Sequence, residues 1–332
     1  DREIEYVLKA ARQARQVYAN AEALTAYERA LALFAELEAA APTTEEKDAL
    51  RARRFDVYSA RAGIFRLLGQ TARFFEEAET MLSLAQQLPD HPELLVDALL
   101  LQPSVGNWET EEQLREGTAL IERALELARD LGDRKREMVA LATLAGHYYN
   151  LGNPAWLELG EASIQLAREL GDRRFEVSLL TAVGEIFALS DPQRSLEYLE
   201  LALPICQELG DKMAQLDLLQ LVGNQMENSG DYYRRLKECH EPQLQLSREI
   251  GFRNGESYAL MFVGQLRGIY LGDFDGGRLA LELSFDMSAD APDSAVFRTL
   301  RLAQLDIEEG RLEAARARLT PEHGLERLLE SE

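Results

Sequence analysis

A three-residue phrase recurs at a fixed interval in the middle of this chain: Leu131-Gly132-Asp133, Leu170-Gly171-Asp172 and Leu209-Gly210-Asp211. The two glycine steps, 132 to 171 and 171 to 210, are each 39 residues. An even step of this size marks a repeat array, in which each unit buries its apolar face against its neighbours. Each phrase closes an apolar-periodic run: ALELARDLGD, SIQLARELGD and ALPICQELGD. Glycine stands where a helix end takes the left-handed conformation, and aspartate where the next helix wants a side-chain acceptor for its first N–H groups. The repeating unit is therefore a helical hairpin.

Carried along all 332 residues, this period predicts one all-α repeat domain of about eight antiparallel helix pairs. The units lie near 1–40, 43–88, 92–131, 133–170, 172–209, 211–250, 252–290 and 292–320, with a partial cap at 322–332. Turns within the pairs are expected at Leu68-Gly69-Gln70, Val105-Gly106-Asn107, Leu151-Gly152-Asn153, Leu189-Ser190-Asp191, Ser229-Gly230-Asp231, Leu271-Gly272-Asp273 and Glu309-Gly310-Arg311. The third unit is longer than its neighbours, so residues 106–113 read as an inserted loop or an added helical turn. Pro204 and Pro242 fall inside expected second helices, where each removes a backbone donor and kinks the helix. A hydrophobic fraction of 46% is ample for a core. The chain opens at Asp1 within a helical pattern, which reads as part of a larger protein.

Small residues recur at matched places. First helices carry Leu144-Ala145 with Tyr148, Val183-Gly184 with Phe187, Val222-Gly223 with Met226, and Val263-Gly264. Second helices carry Ala30, Ala124 with Ala128, Ser163 with Ala167, Ala202 with Cys206, and Ser284 with Ser288. This pattern resembles the tetratricopeptide (TPR) family, whose paired helices cross closely at small residues. The resemblance covers nearly the whole chain and implies a right-handed superhelical solenoid. The step of 39 to 41 exceeds the family's usual value of about 34, in the manner of the arrays of signalling ATPases and kinesin light chains. The stretch from Lys9 to Leu33, KAARQARQVYANAEALTAYERALAL, is similar to the opening repeat of arrays that follow the ATPase core in bacterial signalling ATPases, including those fused to adenylate cyclases and LuxR-type regulators.

Charge narrows the partners. With 58 acidic against 36 basic residues the net charge is −22, and phosphate binding needs a basic stripe, so nucleic acid is excluded and cationic or neutral partners are favoured. Two cysteines, Cys206 and Cys239, without a pairing frame suggest a reducing, cytoplasmic setting. No apolar run approaches the length of a membrane span.

Catalytic constellations are absent from the text. There is no phosphate-binding loop, dinucleotide fingerprint, zinc helix or nucleophile elbow, and no cofactor or metal is implied. Cys239-His240 is the nearest pair, but neighbours on a helix point about 100° apart and so rarely share a ligand. His91, His147 and His323 show no ligand spacing. The expectation is a noncatalytic recognition or sensor module that takes a protein, a peptide or a small effector; the alternative is a scaffold that self-associates through its terminal units.

In TPR arrays the first helices line the concave groove. Transferring those positions implies a groove of Tyr149, Asn150, Glu185, Asp217, Gln220, Asn224, Glu227, Asn228, Tyr258, Gln265 and Gln304. Amides and tyrosines suit an extended peptide backbone. Gln220, Asn224, Glu227 and Asn228 are expected on one helical stripe. No lysine or arginine is among these positions, so the basic clamp by which chaperone-binding TPRs hold a terminal carboxylate is not expected.

Overall fold

A computed structural model describes residues 2–102, 109–287 and 292–319, and all their side chains except those of 228, 229 and 292–296. All regular structure among them is helical. The helices cluster into two compact units, Asp1–Gly171 and Asp172–Glu332.

In the first unit the pairs are α1 (Arg2–Gln16) with α2 (Asn20–Ala40), α3 (Thr44–Leu67) with α4 (Thr71–Gln86), α5 (Pro92–Leu100) with α6 (Glu111–Asp130), and α7 (Arg134–Asn150) with α8 (Trp156–Leu170). The second unit begins with α9 (Arg173–Phe187) and α10 (Pro192–Leu209). Next comes α11 (Lys212–Gln225), followed by a 3-10 turn (Met226–Ser229) and a composite second helix: α12 (Tyr232–Arg235), a π turn (Leu236–His240) and α13 (Glu241–Ile250). After α14 (Arg253–Gln265) and a second π turn (Leu266–Tyr270) come α15 (Phe274–Met287), α16 (Pro292–Glu308) and α17 (Leu312–Arg318).

The recurring phrase does what its residue types require. Gly132, Gly171 and Gly210 have φ of 65°, 69° and 66°, left-handed values that a residue with a Cβ adopts only at a cost. The aspartates that follow accept from backbone N–H groups three residues on: Asp133 from Arg136 (3.0 Å), Asp172 from Phe175 (3.1 Å) and Asp211 from Ala214 (3.2 Å). In the first pair the turn is made without glycine, by Tyr18 at φ 59°.

Small residues set how closely the paired helices approach. Ala30, Ala124, Ala128, Ser163, Ala167, Ala202, Cys206 and Ser284 are all buried, while Ser288 lies outside the described residues. The residues facing the first-helix glycines come from earlier turns of the second helices. A Cβ on Gly184 would lie 2.9 Å from Leu199 Cγ and 3.2 Å from the Ser195 carbonyl oxygen. On Gly264 it would lie 2.8 Å from the Gly277 carbonyl oxygen, and on Gly277 only 2.5 Å from Gly268 Cα.

The π turns absorb two irregularities. The missing donor of Pro242 sits at the start of α13, just past the π turn that Glu241 N–H closes onto the Leu236 carbonyl. A helix that restarts there places proline in its first turn, where no donor is needed. Pro204, by contrast, lies inside α10, which runs unbroken from Pro192 to Leu209. In the seventh pair the extra residues of the first helix are taken up by the second π turn, in which Leu271 N–H donates to the Leu266 carbonyl five residues back (3.0 Å). Thr110 and Gln113 form a reciprocal capping box, so 111–113 open α6 as a helical turn. The expected turn at 105–107 and cap at 322–332 fall outside the described residues. No described helix is long and apolar enough to cross a membrane.

The backbone contact at Gly264 and Gly277 generates a test. Gly277→Ala is expected to destabilise the chain by about 1–3 kcal/mol through overpacking, whereas Gly146→Ala in α7, where an added Cβ meets nothing within 4 Å, should stabilise by about 0.4–1 kcal/mol. Urea unfolding of the two variants measures both signs.

Candidate recognition surfaces

The structure gathers four of the sequence-predicted residues in the second unit and scatters the others. Gln220 on α11 and Tyr258 on α14 are half-buried and meet where Gln220 Nε2 donates to the Tyr258 hydroxyl (3.4 Å). Glu227, exposed on the 3-10 turn, points an oxygen to 3.8 Å from Arg235 Nη1. Gln265 closes the group from the other side, with Nε2 3.5 Å from the Tyr270 hydroxyl; Tyr270 stacks on Tyr232 at 4.1 Å.

Arg235 is the centre of this group. It enters from α12, a second helix, and is only 1% exposed. Its guanidinium lies over the Phe262 ring at 5.4 Å, and Phe262 also stacks on His240 (4.6 Å) and meets Tyr258 edge-on (4.9 Å). Among the described residues Arg235 Nε and Nη2 have no hydrogen-bond partner, nor do His240 Nε2 and Gln265 Oε1. A buried ion costs several kcal/mol unless matched, and stacking on an aromatic face returns about 0.5–2 kcal/mol. Here the carboxylate of Glu227 stands beyond hydrogen-bond length. The arrangement is a set of donors and one acceptor held beneath an exposed carboxylate and a tyrosine.

Two expectations need correction. The expected stripe of Gln220, Asn224, Glu227 and Asn228 is not carried by one α-helix: the helix ends at Gln225 and Glu227 stands on the tighter 3-10 turn that follows, while the Asn228 side chain lies outside those described. Gln265 does not face a groove: it is 1% exposed, packed inward where α14 passes into the π turn. None of the eleven expected positions is basic, but Arg235, from a second helix, stands beneath four of them.

The remaining positions stand apart. Tyr149 is exposed at the end of α7, edge-on to Trp156 (5.6 Å), and Asn150 spends its amide donor on the Gly146 carbonyl (2.7 Å). Glu185 and Asp217 are exposed on α9 and α11. Gln304 on α16 accepts from Arg301 Nη1 (3.1 Å).

Among the described residues of this group no catalytic pair is assembled. His240 meets Gln243 (3.2 Å) and an aromatic ring rather than a carboxylate, and the Cys239 thiol is buried and pushed up to about 12, chiefly by burial. Among the described residues no group of three His, Cys, Asp or Glu side chains could hold a metal.

The first unit has open cavities that the sequence reading missed. One of about 320 Å³ is lined by Arg15, Asp56, Ser59, Gly63, Arg66 and Phe74 among others. Arg15 and Arg66 also line a second of about 330 Å³ with Tyr18 and Leu67. Arg66 reaches a third of about 370 Å³ floored by Phe74, Phe75, Leu100 and Leu101. The repeat phrases that calibrate the groove begin at Leu131, so no marker pointed to these positions.

No protein-family model matches the chain, and no curated protein matches it. Among solved structures it is similar to BtubC (BKLC) from P. vanneervenii, at 16% identity and a TM-score of 0.52 over 68% of this chain and 94% of that one. It is also similar to the apo form of RapI, at 13% identity and a TM-score of 0.50 over 74% of this chain and 73% of that one. A third similarity is to PH0952 from Pyrococcus horikoshii, a signal transduction ATPase with a tetratricopeptide repeat sensor, at 15% identity and a TM-score of 0.49 over 92% of this chain and 54% of that one. At such identities the likeness is one of fold: TPR-like helix pairs.

The His240 environment sets a pH dependence. Burial holds the imidazole down to about 4; the Gln243 bond opposes this, and the Arg235 charge adds to it. The unfolded chain takes up this proton near pH 6.5 and the folded chain does not until about pH 4. The stabilisation is therefore present above pH 6.5 and lost as pH falls through that window, by about 2 kcal/mol between pH 6.5 and 5. In urea titrations His240→Gln should flatten the pH profile by that amount; an unchanged slope would contradict the assignment.

Proposed function

We propose that this chain is a noncatalytic recognition module that captures a protein or peptide segment on its first-helix side, as the sensor region of a larger signalling protein. The observation that carries the reading is the buried guanidinium of Arg235, two of whose nitrogens have no partner among the described residues, beneath Gln220, Glu227 and Tyr258. Matching donors and acceptors to a ligand backbone is how such a surface gains specificity. The repeat step of 39 to 41 and the opening KAARQARQVYAN stretch support a place beside the repeat regions of bacterial signalling ATPases, and with it a cytoplasmic setting. A small effector seated at the same polar group is a variant of this reading.

A random peptide library panned against the chain tests the reading. Enriched peptides are expected to bind Gln220→Ala/Asn224→Ala at least about tenfold more weakly, about 1.4 kcal/mol, with the melting temperature nearly unchanged. Equal binding to both proteins would remove these residues from the site.

The alternative, self-association through a terminal unit, is favoured by one feature. A wide, mostly apolar cavity of about 510 Å³ opens between α1 and α2, lined by Tyr6, Val7, Ala10, Ala21 and Ala26 among others, and Tyr6 is 76% exposed. Under this reading light scattering shows a mass that rises with concentration and is held at the monomer value by Tyr6→Glu. A constant monomer mass counts against it.

A further inference from the structure

Of the five arginines on α3, four are matched by carboxylates: Arg51 and Arg54 by Glu38, Arg53 by Glu5, and Arg61 by Glu77. Arg66 has no ion pair among the described residues, nor has Arg15 on α1. In a chain with 58 acids two unmatched guanidiniums on one surface are informative, because acidic neighbours were available to neutralise them. Both are exposed, and both line the same two cavities on the first-helix side of the first unit.

The cavity walls define what could lie there. Arg12, exposed one turn before Arg15, adds a third positive charge. Against them stands Asp56, whose carboxyl is pushed above its ordinary range, chiefly by burial, with Asp97 adding to the shift and Arg12 and Arg53 opposing it. The local balance is thus positive on a negatively charged molecule. Beyond Arg66 the third cavity is apolar and aromatic, floored by Phe74, Phe75, Leu100 and Leu101, with the amide of Gln102 at its rim already bonded to the Ala78 and Ala98 carbonyls (3.1 and 2.8 Å). A carboxylate on Arg66 would have an apolar seat beside it.

We propose that this groove binds an acidic peptide segment in which side-chain carboxylates adjoin a large apolar residue, the carboxylates on Arg15 and Arg66 and the apolar side chain against Phe74 and Leu101. Guanidiniums bind carboxylates in a planar, two-bond geometry. The apolar neighbour distinguishes such a segment from a free anion or a nucleic-acid backbone. The proposal rests on the reading of the first-helix side as a recognition surface, but it names a different place and a different chemistry from the Arg235 group.

Fluorescence anisotropy with a labelled probe, Gly-Asp-Glu-Leu-Phe-Asp-Glu-Gly, tests it on the full chain. The acidic probe should bind at least about tenfold more tightly than its Asn/Gln counterpart, and the gap should narrow with added salt. Arg15→Gln/Arg66→Gln should lose the same factor with unchanged melting, since both side chains are exposed, while Asp56→Asn should bind more tightly by about twofold or more. Equal affinity for the acidic and amide probes, wild-type affinity in the double variant, or tighter binding of a single-stranded oligothymidylate than of the peptide would each overturn the proposal. If library peptides still depend on Gln220 and Asn224 while the acidic probe fails, this inference falls and the recognition reading stands.

Discussion

Backbone-to-backbone contact between paired helices is the constraint on which the rest of this structure depends. Where α14 crosses α15, Gly277 lies so close to Gly264 and Gly268 that a single Cβ would stand 2.5 Å from a backbone carbon. Such contact admits one register, because sliding by a residue would drive a side chain into the opposite helix. Gly184 on α9 is closed in by the Leu199 side chain and the Ser195 carbonyl, and Gly223 on α11 by the side chains of His240 and Cys239. With the register set, the first-helix residues that flank these glycines have no freedom in where they point.

A second close approach, at Gly223, accounts for the polar interior of the second unit. Gly223 leaves room for His240, whose ring atoms lie 2.9 Å from the place a Cβ would occupy. His240 then supports Phe262 by stacking, and Phe262 carries the Arg235 guanidinium. A chain selected only for stability would replace such a poorly matched buried charge by an apolar side chain of similar volume, a change that is often neutral or favourable. On the proposed reading, Arg235 is kept for what it binds rather than for what it holds together.

Much of the fold was legible in the sequence. Three phrases of Leu-Gly-Asp located left-handed helix ends and aspartate caps, since few other residues suit those backbone positions. Buried Ala and Ser positions on the second helices followed from the same period. The site was less legible. A period of 39 assumes that each helix keeps 3.6 residues per turn, but a 3-10 turn at Met226 and π turns at Leu236 and Leu266 rotate the chain out of phase. Glu227 stands on that 3-10 turn, and Gln265 is buried at the last residue of α14, just before the second π turn. The arginines of both surfaces were hidden for other reasons: Arg235 belongs to a second helix whose inward face was expected to be small and apolar, and Arg15 and Arg66 precede the regular phrases. Whether an arginine lacks a partner depends on neighbours distant in sequence, as the pairing of Arg53 with Glu5 and of Arg61 with Glu77 illustrates.

The central claim, that Arg235 is kept for recognition rather than for stability, makes opposite demands on two readouts of one variant. For Arg235→Met, the melting temperature is expected to hold or rise, because an unmatched buried charge gives way to an apolar side chain of similar size. The affinity for a peptide selected on the wild-type chain is expected to fall by at least about tenfold, about 1.4 kcal/mol. A variant that binds its peptide as the wild type does, or that loses affinity only as it loses stability, would contradict the account.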